Sequence, residues 1–189
     1  MSELSTINRE IECLKLVAER QDAEALSSLY NQWNGLLFSL IYKIVNHKEE
    51  AEEVLQEVFV QIWNKARLYN ECLGKPLAWA TRIARNMAID RYRSKAYQSQ
   101  RKLETEEKID KNLMAPENPD QFIIRSEQVK AVSGALRKLP DEQRVLIEKS
   151  YYEGFSQSEL AEMYGLPLGT VKTRMRIAMR NMREHFGLN

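Results

Sequence analysis

Residues 156–183 read SQSELAEMYGLPLGTVKTRMRIAMRNMR, and their pattern indicates how the C-terminal part of the chain folds. Ser156 followed three residues later by Glu159 is typical of a capping box, which begins a helix. Gly165 suits the left-handed turn that ends such a helix, and residues 166–168 then lead into a second helix. The residues expected to face inward from the first helix are Leu160, Ala161 and Tyr164.

The second helix of this pair is basic on one side. At about 100° per residue, its apolar side chains point to the core; they are Val171, Met175, Ala178 and Met182. The opposite face presents Thr173, Arg176 and Arg180, with Lys172 and Ile177 at its edges. Arginine there suits guanine in a major groove, whereas Arg174 and Arg183 are better placed for backbone phosphates.

The spacing of Ala161, Gly165 and Val171 is that of a helix-turn-helix, in which small residues let the helices approach closely. The alternative is an ordinary helical hairpin with a solvated basic face. Residues 166–183 contain no Asp or Glu, which favours the nucleic-acid interpretation over the hairpin.

Upstream, apolar residues recur at helical spacing and predict further amphipathic helices. A weak helix is expected over Asn8–Glu19. The next has the stripe Leu26, Leu29, Tyr30, Trp33, Leu36, Leu37, Leu40, Ile41 and Ile44. A third has Ala51, Val54, Leu55, Val58, Phe59, Ile62, Trp63 and Ala66. A fourth follows Pro76 with Leu77, Ala80, Ile83, Ala84, Met87 and Ala88, and the domain is expected to end near Arg93.

Composition changes after this domain. Residues 96–120 are polar and charged, and Pro116 and Pro119 cannot continue a helix. Helical periodicity returns with Phe122, Val129, Val132, Leu136 and Leu139, and a helix after Pro140 is expected to bury Val145, Leu146 and Tyr151. The sequence therefore predicts an all-α protein with two small helical domains, 1–95 and 123–189, joined by a flexible linker over 96–122.

Charge is balanced overall, with 28 Lys and Arg against 27 Asp and Glu, but it is unevenly distributed. Basic residues concentrate in 75–102 and 166–183, and acidic residues in 49–57 and 104–110. This pattern predicts two nucleic-acid contacts and at least one different partner.

Histidine and cysteine, which commonly bind metals, are scarce in this sequence. The only histidines are His47 and His185, and Cys13 and Cys72 lie far apart, so the sequence does not favour a metal or cofactor site. Without a membrane span or secretory signal, we expect a cytoplasmic protein.

With these motifs in this order, the chain resembles the extracytoplasmic-function (ECF, group IV) sigma factors of the sigma-70 family, the small promoter-specificity subunits of bacterial RNA polymerase. The resemblance covers nearly the whole chain. The segments that carry it are Asp22–Tyr30, Glu49–Trp63, Pro76–Arg93 and Gly169–Arg174.

The resemblance implies a role for each segment. The helix over Glu49–Trp63 would dock on the β′ clamp of polymerase through Glu53, Gln56, Glu57, Phe59 and Trp63. The helix after Pro76 would melt the promoter and bind the minus-10 strand through Arg82, Arg85, Asn86, Tyr92 and Arg93, and the preceding loop, Leu68–Gly74, would hold a flipped base. The helix after Gly169 would bind minus-35 duplex through Lys172, Thr173, Arg174, Arg176 and Arg180.

Each of these polar surfaces also has a plainer interpretation as the solvated face of an amphipathic helix. Large Phe59 and Trp63 beside the carboxylates favour docking, and Asn86 with Trp79 and Tyr92 offers donors and stacking surfaces for unpaired bases.

The implied function is that of a non-enzymatic sigma factor. It would bind core RNA polymerase at the β′ clamp and β flap, direct initiation at specific promoter DNA, and be held by an anti-sigma factor, often membrane-anchored. One rival is an autonomous helix-turn-helix regulator that senses a ligand or dimerises. Another is an enzyme or structural adaptor, for which no nucleophile–base pair, carboxylate dyad or phosphate loop is readable.

Overall fold

The computed structural model describes the backbone of residues 3–103 and 127–187 and the side chains of residues 4–94 and 131–187. Every regular element within those two ranges is helical, which confirms the predicted all-α class. The chain divides into two compact units, Met1–Ile123 and Ile124–Asn189. The linker predicted over 96–122 lies largely outside the described residues, so its flexibility and the exact domain limits stay predictions.

The first unit is built from four long helices and two short 3-10 turns. The helices are α1 (Glu3–Arg20), α2 (Ala23–Val45), α3 (Lys48–Lys65) and α4 (Pro76–Leu103), and the turns are Ala66–Leu68 and Glu71–Leu73. Helix α2 packs against α1, α3 and α4. Its buried stripe is Ala25, Leu29, Trp33, Leu37, Ile41 and Ile44, as its three- and four-residue spacing predicts.

Alanines let α4 lie close to its neighbours. Ala80, Ala84 and Ala88 are fully buried at four-residue intervals, and α4 packs against both α2 and α3. Because interaxial distance depends on the side chains at the contact, these small buried residues allow α4 to lie close to the helices that it packs against.

Three details of the first unit differ from the sequence predictions. Helix α1 begins at Glu3 rather than near Asn8. Helix α4 continues to Leu103, ten residues past its predicted end, since 94–103 contain several good helix formers and no Gly or Pro. Tyr30, predicted in the core stripe, is 41% exposed because it lies at the edge of the buried face of α2.

The second unit contains α5 (Glu127–Arg137), α6 (Asp141–Tyr152), α7 (Gln157–Met163) and α8 (Leu168–His185). One buried cluster joins α5, α6 and α8 through Leu136, Leu139, Ile147 and Ala178. A second joins α6, α7 and α8 through Leu146, Leu160 and Val171. Met175 packs against both clusters, and Met182 against the first, so the predicted core face of α8 is confirmed.

The predicted helix-turn-helix geometry is present in α7 and α8. Ser156 caps α7 by accepting from the Glu159 N–H, and the Glu159 carboxylate accepts from the Ser156 N–H, completing the capping box. Gly165 has a φ of 59°, the left-handed conformation expected of the residue that ends the helix. The Leu166 N–H then donates to the Ala161 carbonyl at 2.9 Å, which closes the turn.

Three core predictions in the second unit are wrong. Tyr151 and Tyr164 are each 39% exposed, and Val132 is 38% exposed. Tyr152, one residue further along α6, packs on the first cluster in place of Tyr151. Tyr164 lies beyond the last residue of α7, where the chain has left the helical path, so helical periodicity no longer sets its direction. Phe122 lies outside the described residues, as does the side chain of Val129.

Candidate functional site

The outer face of α3 carries the three polar docking residues proposed from sequence. Glu53, Gln56 and Glu57 are exposed, but Phe59 is only 6% exposed and is not available on this face. The Phe59 ring instead contacts Tyr30 of α2, with centroids 4.8 Å apart. Its periodicity predicted this burial correctly, whereas the expectation that its size marked a docking surface is wrong.

Val60 is the apolar residue that sequence reasoning missed on this face. It is 57% exposed and lies one helical turn after Gln56. Trp63 is half-buried at the margin of the same helix. The available signal was the break in the apolar period, because Val60 does not belong to the stripe that contains Val58, Phe59 and Ile62. The face thus combines carboxylates, an amide and an exposed aliphatic side chain.

A single guanidinium from α4 reaches across to this face. Nη1 of Arg91 donates to Oε2 of Glu53 at 3.0 Å, and Nη2 donates to Oε1 of Glu57 at 2.7 Å. The hydrogen bond with Glu53 contributes most to raising the pKa of Arg91 above its ordinary value, and the charge of Glu57 adds to it. Both acidic residues proposed for docking are therefore ion-paired to the neighbouring helix.

Helix α4 carries its polar candidates in two rows. Arg82, Asn86 and Arg93 are exposed and lie within about 40° of one another around the helix. Arg85 is half-buried and Tyr92 is 41% exposed, and these two form the second row. Nη1 of Arg85 lies 3.4 Å from Oδ1 of Asn86, which leaves the Asn86 amide nitrogen as a donor toward solvent.

The loop before α4 encloses a small cavity of about 140 Å³. Among its lining residues are Tyr69, Trp79 and Arg82, and the Tyr69 and Trp79 rings meet edge to face with centroids 5.7 Å apart. The Tyr69 hydroxyl donates to the Gly74 carbonyl at 3.0 Å and fixes the loop. Burial raises the pKa of Tyr69, so this hydroxyl stays a donor at neutral pH. The cavity lies in the loop predicted from sequence to receive a base.

Two leucines of the same loop are unusually exposed. Leu68 is 72% exposed and Leu73 is 83% exposed, and both line the cavity. Single exposed apolar side chains are common on protein surfaces, so the exposure of these leucines does not by itself mark a binding site. Their placement beside Trp79 gives the cavity an apolar rim.

The outer face of α8 agrees with its predicted phase. Lys172, Thr173, Arg176 and Arg180 are exposed. Nε of Arg180 lies 3.8 Å from Glu184, a loose pair between exposed side chains. Within the described part of the chain, Lys172 and Arg176 have no ion-pair partner and are free to meet an anionic surface.

Arg174 behaves differently from its neighbours on α8. Its Nη2 lies 2.7 Å from Oε2 of Glu142 on α6, and its side chain is 31% exposed. This ion pair links α8 to the start of α6 inside the second unit. The phosphate contact predicted for Arg174 must compete with Glu142.

Among residues 3–103 and 127–187, no group of His, Cys, Asp and Glu is arranged to hold a metal ion. No helix in the same ranges is long and apolar enough to cross a bilayer.

Comparison with known proteins gives two family matches that coincide with the two units. Residues 29–97 match the model of Sigma-70 region 2, and residues 135–184 match that of Sigma-70, region 4. The ECF RNA polymerase sigma factor SigK of Mycobacterium ulcerans is 30% identical over 165 residues, which cover 87% of each protein. The chain belongs to the ECF sigma factors.

Two further comparisons cover more than nine-tenths of this sigma factor's chain. SigK of Mycolicibacterium vanbaalenii is 29% identical over 187 residues, covering 98% of this chain and 93% of that protein. The solved structure of Rhodobacter sphaeroides SigE in complex with the anti-sigma ChrR is 27% identical, with a TM-score of 0.46, and covers 93% of this chain and 97% of that one. In this sigma factor, the region 2 match contains α3, the cavity and most of α4, and the region 4 match contains the helix-turn-helix.

Proposed function

We propose that this sigma factor binds core RNA polymerase through the outer face of α3, captures the melted minus-10 strand on α4, and reads minus-35 duplex with α8. The observation that carries the proposal is that two helices of one unit, α3 and α4, pack against each other. Helix α3 presents an acidic face with exposed Val60, and the basic helix α4 begins beside a cavity. Docking and strand capture then occur on adjacent helices.

The polymerase contact rests on chemistry that suits a basic partner helix at the β′ clamp. Gln56 supplies donors and an acceptor, Glu53 and Glu57 supply negative charge, and Val60 supplies apolar area near the centre of the face. We assign the second unit a contact with the β flap on the family resemblance alone.

Strand capture rests on the α4 surface and its cavity. Arg82 and Arg93 supply positive charge for the backbone of an unpaired strand, and Asn86 supplies hydrogen bonds to a base edge. The aromatic lining of the cavity, Tyr69 and Trp79, offers a place in which an unstacked base lies against a ring. These groups act on bases only after the duplex opens.

Duplex reading rests on α8. Arg176 and Arg180, opposite the buried Val171 and Ala178, are placed to enter a major groove, and Lys172 at the edge suits a phosphate. As a sigma factor of the ECF class, group IV, the protein would work in the cytoplasm without catalytic chemistry of its own. We further propose control by an anti-sigma factor, membrane-anchored in some systems, that covers the DNA-binding faces.

The test is transcription in vitro with purified core polymerase on fragments of the host genome. We expect initiation at discrete promoters that core polymerase alone does not use. Tight binding of the isolated protein to a palindromic duplex, with no effect on polymerase, would instead support an autonomous helix-turn-helix regulator.

A further inference from the structure

The guanidinium of Arg91 joins two carboxylates that lie one turn apart on a neighbouring helix. Arg91 is 29% exposed at its side chain, whereas Glu53 is 65% and Glu57 is 52% exposed. Each carboxylate gives one oxygen to Arg91, Oε2 of Glu53 and Oε1 of Glu57. The second oxygen of each carboxylate is left for another donor, because an ionised carboxylate accepts at both oxygens.

Stability alone does not account for this arrangement. Helices α3 and α4 already pack against each other, and both contribute side chains with no exposed surface to the core, among them Val54, Val58 and Ala88. Ion pairs between exposed side chains contribute little to folding, because solvent screens them and ordering long side chains costs entropy. The planar guanidinium instead fixes geometry, because it holds the side chains of two flexible glutamates in one arrangement on the surface of α3.

We propose that Arg91 is a positioning residue that presets Glu53 and Glu57 for docking on core RNA polymerase. The proposal rests on the proposed function, in which these two carboxylates contact polymerase. A glutamate whose rotamer is already fixed loses less conformational entropy when it binds, so preorganisation increases affinity without a new contact. Arg91 itself, on the α4 side of the pair, need not touch polymerase.

Three variants test this role by affinity for core polymerase in the absence of DNA. Arg91→Ala removes the fork, and we expect about three- to tenfold weaker binding. Arg91→Lys keeps the charge but places one ammonium where two carboxylates lie, so we expect nearly the same loss. Lys15→Ala is the matched control, because it removes one positive charge from another exposed ion pair, with Glu71 at 3.8 Å, and should bind as wild type does.

A double-mutant cycle shows whether Arg91 acts through the glutamates. In the Glu53→Gln, Glu57→Gln background, Arg91→Ala should cause no further loss of affinity, because the carboxylates it positions are gone. An equal loss in both backgrounds would mean that Arg91 contacts polymerase directly and would overturn the proposal.

Three other outcomes also decide the matter. Wild-type affinity of Arg91→Ala or Arg91→Lys overturns the positioning role, and tighter binding of Arg91→Ala would make Arg91 a competitor of polymerase instead. If the wild-type protein itself fails to bind core polymerase, it is the proposed function that fails. Melting curves of each variant check that a lost affinity does not follow from a lost fold.

Discussion

The indole Nε1 of Trp33 donates a 2.8 Å hydrogen bond to the carboxylate of Glu10, a side chain only 6% exposed. This bond joins α1 to α2 in the core of the first unit. Burial raises the pKa of Glu10 above its ordinary value of 4.5, while the indole and the charge of Lys75 partly oppose that rise. Lys75 and Tyr69 line the cavity before α4, so a buried acid lies within electrostatic reach of the proposed base-binding loop.

Glu10 gives the stability of the first unit a defined pH dependence. A raised folded-state pKa means that its contribution is full below pH 4.5 and is lost as pH rises through the folded-state pKa. Glu10→Gln keeps an acceptor for Trp33 without the charge, so it should melt above wild type at pH 7, with the difference shrinking as pH falls to 4.5. Thermal melts across pH measure this, with exposed Glu12→Gln as the control. A lower melting temperature of Glu10→Gln at pH 7 would show that the ionised form, with Lys75, is stabilising.

The α3 face predicts a separation between binding and stability. Gln56→Ala with Glu57→Ala should cost about 2 kcal/mol of affinity for core polymerase, as removal of a binding hot spot does. Exposed substitutions change the free energy of unfolding by only about 0.5 kcal/mol, so the melting curve should stay close to that of wild type. Phe59→Ala should do the reverse, losing about 3–5 kcal/mol of stability, because Phe59 is buried. Titration of core polymerase checks affinity, and unchanged affinity of the double variant would remove α3 from the interface.

The α4 surface predicts a defect that appears only after the promoter opens. Asn86→Ala should reduce open-complex formation more than initial promoter binding, because unpaired bases become available only after melting. Permanganate footprinting reports unpaired thymines, and gel shifts report initial binding. Asn31→Ala, an exposed asparagine on α2, serves as the control. Equal losses in closed and open complexes would make Asn86 a general backbone contact.

The α8 face predicts that neighbouring arginines differ in role. Arg176→Ala should cost about 1–3 kcal/mol and relax preference at one or two base pairs of the minus-35 element. A full phosphate contact at Arg174 would lower the salt slope by about one unit when removed. Because Arg174 is held by Glu142 at 2.7 Å, we expect Arg174→Ala to lower it by less. Promoter-variant titrations of holoenzyme at several salt concentrations measure both quantities, and a change of base preference in Arg174→Ala alone would mean that the assigned helix phase is wrong.

Local signals in the sequence predicted local structure well. Three predicted features depend on residues only a few positions apart, and all three are present. They are the Ser156–Glu159 capping box, the left-handed conformation of Gly165 and the buried face of α8. Phe59 shows the limit of this reasoning. Its spacing predicted burial, but its size was also taken as a sign of docking, and only the contact with Tyr30 on another helix decides between them.

The features that the sequence did not predict are contacts between distant residues. Arg91 lies 38 residues from Glu53 and 34 from Glu57, and no periodicity relates such positions. Arg174 and Glu142 meet in the same way between α6 and α8. Charged side chains can pair with any of several nearby partners, so their choice follows from helix packing rather than from spacing along the chain.

Helix α8 separates what holds the second unit together from what faces outward. Val171 and Ala178 are fully buried, while Thr173, Arg176 and Arg180 are exposed on the opposite side of the same helix. Point substitutions on the outer side can therefore accumulate at little cost to folding, and under the proposed role in minus-35 reading they would change promoter preference. Deletion or insertion of one residue between Val171 and Arg176 would instead rotate the residues that follow by about 100° around the helix relative to Val171. We therefore expect natural variants of this helix to differ by substitutions rather than by insertions or deletions.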